Sequence, residues 1–177
     1  VNRCFYCKEE LFKKLRALAD RKNLKHVFDG SNADDLADYR PGSKAAEIYA
    51  VKSPLAETGF SKQEIRSILK DSGMDIWDRS SSPCLASRFP YGQRITSSDL
   101  KKVEKAEEFL RTLGIRDLRL RLHSEIARIE VSERDMDLIM RPDIRKDVIS
   151  KLKQLGFTYV SLDLEGFKSG SLNRTIQ

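Results

Sequence analysis

The segment LRLRLHSEIARIEV, residues 118–131, alternates apolar and polar side chains on both sides of a break at His123-Ser124-Glu125. A period of two marks extended chain whose successive side chains face opposite sides. Leu118–Leu122 and Ile126–Val131 are therefore expected to form a β-hairpin. The alternation sets Arg119 and Arg121 on one face, with Arg128 of the partner strand close by. Two guanidinium groups on one face repel each other unless an anion or a carboxylate lies between them. A phosphate would satisfy both through forked hydrogen bonds; a solvated outer face is the plainer reading. Glu130 on the second strand has two readings of its own, facing a metal or pairing with an arginine.

Working outward, residues 96–113 read as a long helix, capped within Thr96-Ser-Ser-Asp99 and stopped at Gly114. Pro142 opens another helix, which runs to Leu155-Gly156, and Tyr159–Leu164 is a final strand. Helix, strand, strand, helix, strand make a small α+β unit. The first half has a different texture. Leu11, Phe12, Leu15, Leu18 and Ala19 recur at helical spacing between Lys8 and Lys22, with Cys4-Phe-Tyr-Cys7 at the mouth of that helix. Lys25–Phe28 reads as a buried strand closing on an Asp29-Gly30 turn, and Ala45–Val51 as helical turns or a helix running into a strand. Ser53-Pro-Leu55 reads as a strand end or loop. Phe60-Ser-Lys-Gln-Glu64-Ile65 carries a capping box, with Ser61 as cap, Glu64 reaching back and Phe60 packing on Ile65; that helix stops at Gly73. Strand, loop and helix in this order indicate an α/β unit with parallel strands. The division between the halves is expected near residues 90–96, giving domains 1–92 and 93–177.

The chain has 177 residues, 40% of them hydrophobic and 34% charged, with a formal charge of +6. The longest apolar runs are a few residues, so a membrane span is excluded, and the opening VNRCFYCKEE lacks the apolar stretch of a signal peptide. A cytoplasmic protein is expected. The positive balance suits a phosphate-bearing ligand or nucleic acid, and also an ordinary soluble surface.

Three cysteines without a secretory signal argue against a disulfide framework. Cys4 and Cys7 form a CxxC, and Cys84 lies far away in SSPCLASRFPYG, residues 81–92. A redox pair, a zinc site completed by His26 or His123, a three-cysteine 4Fe–4S cluster and no metal at all are each compatible with this pattern. Around Cys84, Arg79 and Arg88 could lower the thiol pKa and steady an anion, while Ser80, Ser81, Ser82 and Ser87 offer hydroxyl donors. Free cysteine is also often simply buried. In DGSNADD, residues 29–35, the polar cluster of Asp29, Asn32, Asp34 and Asp35 follows an expected strand. Ligands of open α/β sheets bind there, and the same residues also favour tight turns.

Taken together, DGSNADDLADYRPG, SPLAETGFSKQEIR, SSPCLASRFPYG, RLRLHSEIARIEV and YVSLDLEGFKSGSLN resemble consecutive blocks of the LarE-type sulfur transferases, members of the PP-loop ATP pyrophosphatases. The resemblance implies a PP-loop fold (adenine nucleotide alpha-hydrolase-like, Rossmann-type, a parallel sheet here N-terminally incomplete) followed by the α+β domain. It implies an enzyme of nickel-pincer nucleotide cofactor biosynthesis. ATP with magnesium would activate a carboxylate of pyridinium-3,5-biscarboxylic acid mononucleotide as an acyl-adenylate. Sulfur would then displace AMP to leave a thiocarboxylate, once on each carboxylate.

Two sulfur sources are implied. Either Cys4, Cys7 and Cys84 hold a 4Fe–4S cluster that delivers sulfide, or Cys84 gives up its own sulfur and becomes dehydroalanine; the three cysteines fit the cluster pattern, and their count favours a cluster over zinc. By the same resemblance Ser87, Arg88, Arg119 and Arg121 surround the substrate phosphate and carboxylates. Glu107 and Glu130 match acidic positions near substrate or metal, and Asp29, Asn32, Asp35 and Arg40 lie on the ATP side. Trp77, in the block before Cys84, is as readily core as substrate-facing. The family's phosphate loop SGGxDS, which cradles phosphates with backbone N–H groups, is absent from the sequence, so ATP use by this polypeptide alone is not expected. A small nucleotide substrate and a homo-oligomer are the expected partners, and nucleic acid is not. The competing readings are a PP-loop tRNA-thiolation enzyme, which would need a groove-sized basic surface, and a zinc- or cluster-bearing module without activity.

Overall fold

The computed structural model describes residues 2–37, 41–78 and 83–168. The chain divides into two compact units, Val1–Arg79 and Ser80–Gln177.

In the first unit, helix α1 (Arg3–Arg21) is followed by strand β1 (Val27–Phe28), a 3₁₀ turn (Ala33–Ala37) and helix α2 (Ser43–Ile48). Strand β2 (Val51–Lys52), the short helix α3 (Pro54–Glu57) and helix α4 (Lys62–Asp71) complete it. The sequence placed the CxxC ahead of the first helix. Instead α1 begins before it, because no glycine or proline interrupts Arg3–Lys8 and Tyr6 N already donates to Asn2 O at 3.2 Å. Cys4 and Cys7 consequently sit one turn apart on the same side of the helix. Phe12 of α1 packs with Ala45 and Ala46 of α2, and Phe5, Leu15, Tyr49 and Val51 close around them.

β1 and β2 pair in parallel, Val27 opposite Val51 and Phe28 opposite Lys52. The expected buried strand is not buried: Phe28 is 57% exposed, since it points away from the face that Val27 presents. Residues 43–52 take the helix-into-strand alternative, and Pro54, read as strand end or loop, instead starts a helix. Proline suits a first helical position, where its missing N–H has no partner to lose. The capping box of α4 forms as expected: Glu64 N donates to Ser61 Oγ, and Ser61 N donates to the Glu64 carboxylate. Lys62 N also donates to Asp34 Oδ2 at 2.8 Å, which fastens the Asx-rich loop to the start of α4.

The parallel strands end at one carboxylate. Asp29 accepts from Ser53 Oγ beyond β2 at 2.7 Å and from Ser31 N and Oγ at 3.1 and 3.0 Å. Lys8 Nζ lies 3.8 Å away. Partial burial pushes this carboxyl upward, but the Ser53 and Ser31 hydrogen bonds and the Lys8 charge outweigh it and hold the group below its ordinary value.

The second unit contains a 3₁₀ turn (Leu85–Arg88), helix α5 (Ser97–Thr112), strands β3 (Leu118–His123) and β4 (Ile126–Val131), helices α6 (Glu133–Met140) and α7 (Pro142–Gln154), and strand β5 (Tyr159–Leu162). β3 and β4 form the expected hairpin, turned at Ser124 with φ 55°. β5 returns parallel to β4, giving the order β3-β4-β5. The parallel return requires a crossover, which α6 and α7 supply. Helix α6 was not expected; it occupies the short acidic stretch between the hairpin and Pro142. Leu120, Leu122, Ala127 and Ile129 form the core with Val103 and Leu110 of α5 and Val148 and Leu152 of α7.

The units part before the Cys84 loop, earlier than the expected division at 92/93. Phe89 is fully enclosed in the second core and Arg88 is only 3% exposed, so both pack with elements later in the chain. Glu107 of α5 explains how an arginine can lie there. Itself 1% exposed, it accepts from Arg88 Nε at 2.7 Å and Nη2 at 3.0 Å, from Arg111 Nη2 at 2.9 Å and from Leu120 N at 3.0 Å. The last bond satisfies a backbone donor on the outer edge of β3, where no strand can.

Removing one partner of a buried pair strands the other's charge. Glu107→Ala is therefore expected to lower the second unit's stability by about 3–5 kcal/mol, read by urea denaturation followed through circular dichroism. A loss under about 1 kcal/mol, the range of a surface pair, contradicts that account. In the first unit, Asp29 has a depressed folded pKa, so its contribution is present above the ordinary carboxylate pKa and is lost as pH falls through the folded value. Asp29→Asn should then be less stable than the parent at pH 7, with the gap closing below about pH 4. Fluorescence of the single tryptophan, Trp77, follows this unit during urea titrations at each pH.

Candidate functional site

One face of the hairpin carries Arg119, Arg121 and His123 from β3, with Arg128 and Glu130 opposite them on β4. Alternation fixes this grouping, and the sequence expected its first members. Arg121 and Glu130 are each 1% exposed and meet in a two-pronged pair, Nε to Oε1 and Nη2 to Oε2, both at 3.0 Å. Glu130 also accepts from Arg128 Nη2 at 2.9 Å, and Arg128 Nε lies 3.5 Å from Asp163. Of its two sequence readings, Glu130 takes the arginine-pairing one.

The 3₁₀ turn after Cys84 is fastened to this face. Arg121 Nη1 donates to Ser87 O at 2.6 Å. Arg88, held by Glu107, donates from Nη1 to Pro83 O at 3.1 Å and to Ser87 Oγ at 2.9 Å. Two buried ion pairs thus grip the carbonyls on either side of Cys84, whose side chain is exposed. The reading of Cys84 as a buried core cysteine is excluded.

Arg119 differs from its neighbours. Half-buried, it makes no ion pair or hydrogen bond among the described residues, and its guanidinium stacks 4.7 Å from the ring centre of Phe167. Burial and then the charges of Arg121 and Arg88 act against its protonated form, more than Glu130 and Glu107 favour it. Phe167 reaches it because the chain doubles back at Gly166, where φ is +70°; Phe167 N then donates to Val131 O at 2.8 Å. A Cβ at Gly166 would lie 2.9 Å from Val131 O, so only glycine fits.

Among the described residues of this network five guanidinium groups, of Arg88, Arg111, Arg119, Arg121 and Arg128, face three carboxylates, of Glu107, Glu130 and Asp163. The surplus of two positive charges matches one phosphate monoester dianion. The sequence reading named four of the arginines but missed Arg111, although it stands four residues after Glu107 on one helix face. It also missed Phe167 and weighed His123 only as a zinc ligand. No alternation could have found Phe167, which is brought in by a turn.

In the first unit a cleft of about 370 Å³ opens at the carboxyl ends of β1 and β2, lined by Lys8, Asp29, Ser31, Asp35, Ser53 and others. This is the end of a parallel sheet where ligands bind. Asp29 and Asp35 of the expected ATP-side set line it. Asn32 shapes the loop beside it, its side chain accepting from Asp34 N and its backbone N–H donating to Asp35 Oδ2. Arg40 lies outside the described residues, as do Arg79 and Ser80–Ser82. Trp77 is 37% exposed, with Lys70 Nζ 4.8 Å from its ring centre.

Cys4 and Cys7 are exposed and free. Among the described residues, no three or more His, Cys, Asp or Glu side chains gather as a metal-binding group, and no helix is long and apolar enough to cross a membrane.

No family model matches the chain. Among curated proteins it is 43% identical over 175 residues to uncharacterized protein slr1717 of Synechocystis sp., covering 99% of this chain and 65% of the relative. It is 38% identical over 173 residues to the pyridinium-3,5-bisthiocarboxylic acid mononucleotide synthase of Lactiplantibacillus plantarum, covering 97% of this chain and 62% of the synthase. It is also 35% identical over 167 residues to uncharacterized protein MJ0830 of Methanocaldococcus jannaschii, covering 94% and 64%. The chain thus spans somewhat less than two thirds of the length of the relatives it matches. With 38% identity to the synthase held over almost all of this chain's length, and with the cysteine loop, hairpin and closing turn all inside that span, the chain resembles the LarE-type sulfur transferases.

Proposed function

We propose that this chain supplies the substrate face and the sulfur-bearing cysteine of an ATP-dependent sulfur transferase that converts the carboxylates of pyridinium-3,5-biscarboxylic acid mononucleotide to thiocarboxylates. The observation that carries this reading is the arginine face, which holds two charges more than its own carboxylates neutralise, directly beside the exposed Cys84 loop. A surplus of that size suits a mononucleotide rather than the long basic track a tRNA needs.

In this scheme a carboxylate oxygen of the substrate attacks the α-phosphorus of ATP and pyrophosphate leaves. A sulfur nucleophile then adds to the acyl carbon, and AMP departs with the electrons of the C–O bond. Arg119, the guanidinium without an internal counter-charge, binds the substrate phosphate. Arg88 and Arg121, with Glu107 and Glu130 behind them, fix Ser87 and the loop so that Cys84 is presented at a set height above the same face. Asp29 and Asp35 line the nucleotide side with magnesium, Asn32 shapes their loop, and Arg40 is assigned there by resemblance.

For the sulfur source, Cys4 and Cys7 fit cluster ligands, being exposed thiols one helical turn apart, and the resemblance assigns Cys84 as the third. When bound, a 4Fe–4S cluster held by three thiolates has one iron open to carry transferable sulfide. The exposure of Cys84 equally supports the second reading. There its thiolate forms a thioester with the acyl carbon; loss of the Cα proton to a base and cleavage of Cβ–Sγ then leave dehydroalanine and the thiocarboxylate.

Anaerobic purification with metal analysis separates these. About four irons per chain with matching sulfide, lost together in Cys84→Ala, are expected for the cluster. One zinc instead contradicts the transferase reading and revives the structural module, whereas a metal-free protein that loses one sulfur by mass on turnover selects Cys84 as donor. For the phosphate assignment, Arg119→Ala should weaken binding of a pyridinium mononucleotide about 10- to 100-fold, as befits a lost charged hydrogen bond of about 1.5–3 kcal/mol. Unchanged affinity by calorimetry would remove Arg119 from the site.

A further inference from the structure

The imidazole of His123 stands on the cationic face without a hydrogen-bond or ion-pair partner among the described residues. It follows Arg119 and Arg121 at alternate positions of β3, so it shares their face, and it is half-buried against the start of the hairpin turn. Among the described residues neither ring nitrogen has a hydrogen-bond partner, and no carboxylate pairs with it. The neighbours on this face are all engaged with one another except Arg119. The two side chains without partners therefore lie on one strand face, four residues apart, at the edge of a network carrying two surplus positive charges.

We propose that His123 is a further contact of the phosphate-bearing ligand, meeting its phosphate group together with Arg128 at the turn end of the arginine face. This rests on the reading of the arginine face as the substrate phosphate site, and it adds a residue and a proton to that site. The charged groups that reach the imidazole are Arg121 on its own strand and Arg128 and Glu130 on β4. Burial first, then Arg128 and Arg121, hold its pKa below the ordinary value, and the weaker pull of Glu130 does not restore it. The free protein thus keeps His123 neutral near pH 7. A phosphate dianion placed between His123 and the arginines cancels that repulsion and favours imidazolium. Ligand binding is then coupled to proton uptake, and the two reinforce each other reciprocally. The imidazole does no chemistry in the transfer itself; its work is to set how tightly the phosphate is held as pH changes.

The chain has only two histidines, and His26, in the other unit, lies tilted against Phe28 with ring centres 5.9 Å apart. It serves as an internal control. Histidine titrations by NMR, with and without saturating nicotinic acid mononucleotide, should move the His123 midpoint upward by about one pH unit, equivalent to roughly tenfold tighter binding to the protonated form, and leave His26 in place. The corresponding riboside, lacking the phosphate, should leave both unchanged. His123→Asn should abolish proton uptake, measured by calorimetry in buffers of different ionisation enthalpy, while the mononucleotide still binds. If the mononucleotide binds but the His123 midpoint stays fixed, or the riboside moves it equally, the inference is overturned and the phosphate site stands. If calorimetry shows no binding of the mononucleotide at all, the site reading falls and this inference with it.

Discussion

Two buried arginine–glutamate pairs organise the second unit, and most of the site's geometry depends on them. Arg88 with Glu107 and Arg121 with Glu130 are all 3% exposed or less. Charges so placed are stable only when geometry is close and the remaining donors and acceptors are satisfied. Both conditions hold: each pair is two-pronged, Glu107 also takes the edge N–H of Leu120, and both arginines spend further donors on Pro83 and Ser87. An apolar core could have been as stable. What the pairs add is position, since they connect an irregular cysteine loop to a regular strand at two carbonyls on either side of Cys84.

That arrangement separates engaged from unengaged groups among residues of one chemical type. Arginines at 88 and 121 are consumed by internal carboxylates and act by fixing the loop. Arg119, two residues from Arg121 and on the same face, has only an aromatic ring against it, which leaves its charge available. Electrostatic preorganisation works in this way: fixed charges are aimed before the ligand arrives, so little reorganisation is required when it binds. Burial together with the surplus charge also accounts for the neutral His123, which would otherwise be an ordinary strand histidine.

The first unit shows a simpler constraint. Two strands of two residues each cannot hold a sheet together by their ladder alone. The serines and lysine around Asp29 take over at the strand ends, and the cleft opens at that point. A carboxylate that ties the strand ends together thus lines the cleft at the position where α/β sheets meet their ligands.

Periodicity in the sequence determined the hairpin, the long helix before it, the capping box at Ser61 and the shared face of Arg119 and Arg121, because each depends on neighbours a few residues apart. The resemblance of whole blocks pointed to the family for the same reason, being a property of linear order. Tertiary structure decided which arginines are spent and which is left. That choice depends on Glu107 reaching the edge of β3 from α5 and on Gly166 turning Phe167 back over Arg119, contacts across 13 to 48 residues that no local spacing encodes. It also decided that the Cys84 loop belongs to the second unit, since the burial of Arg88 and Phe89 is settled by a core whose other members lie later in the chain.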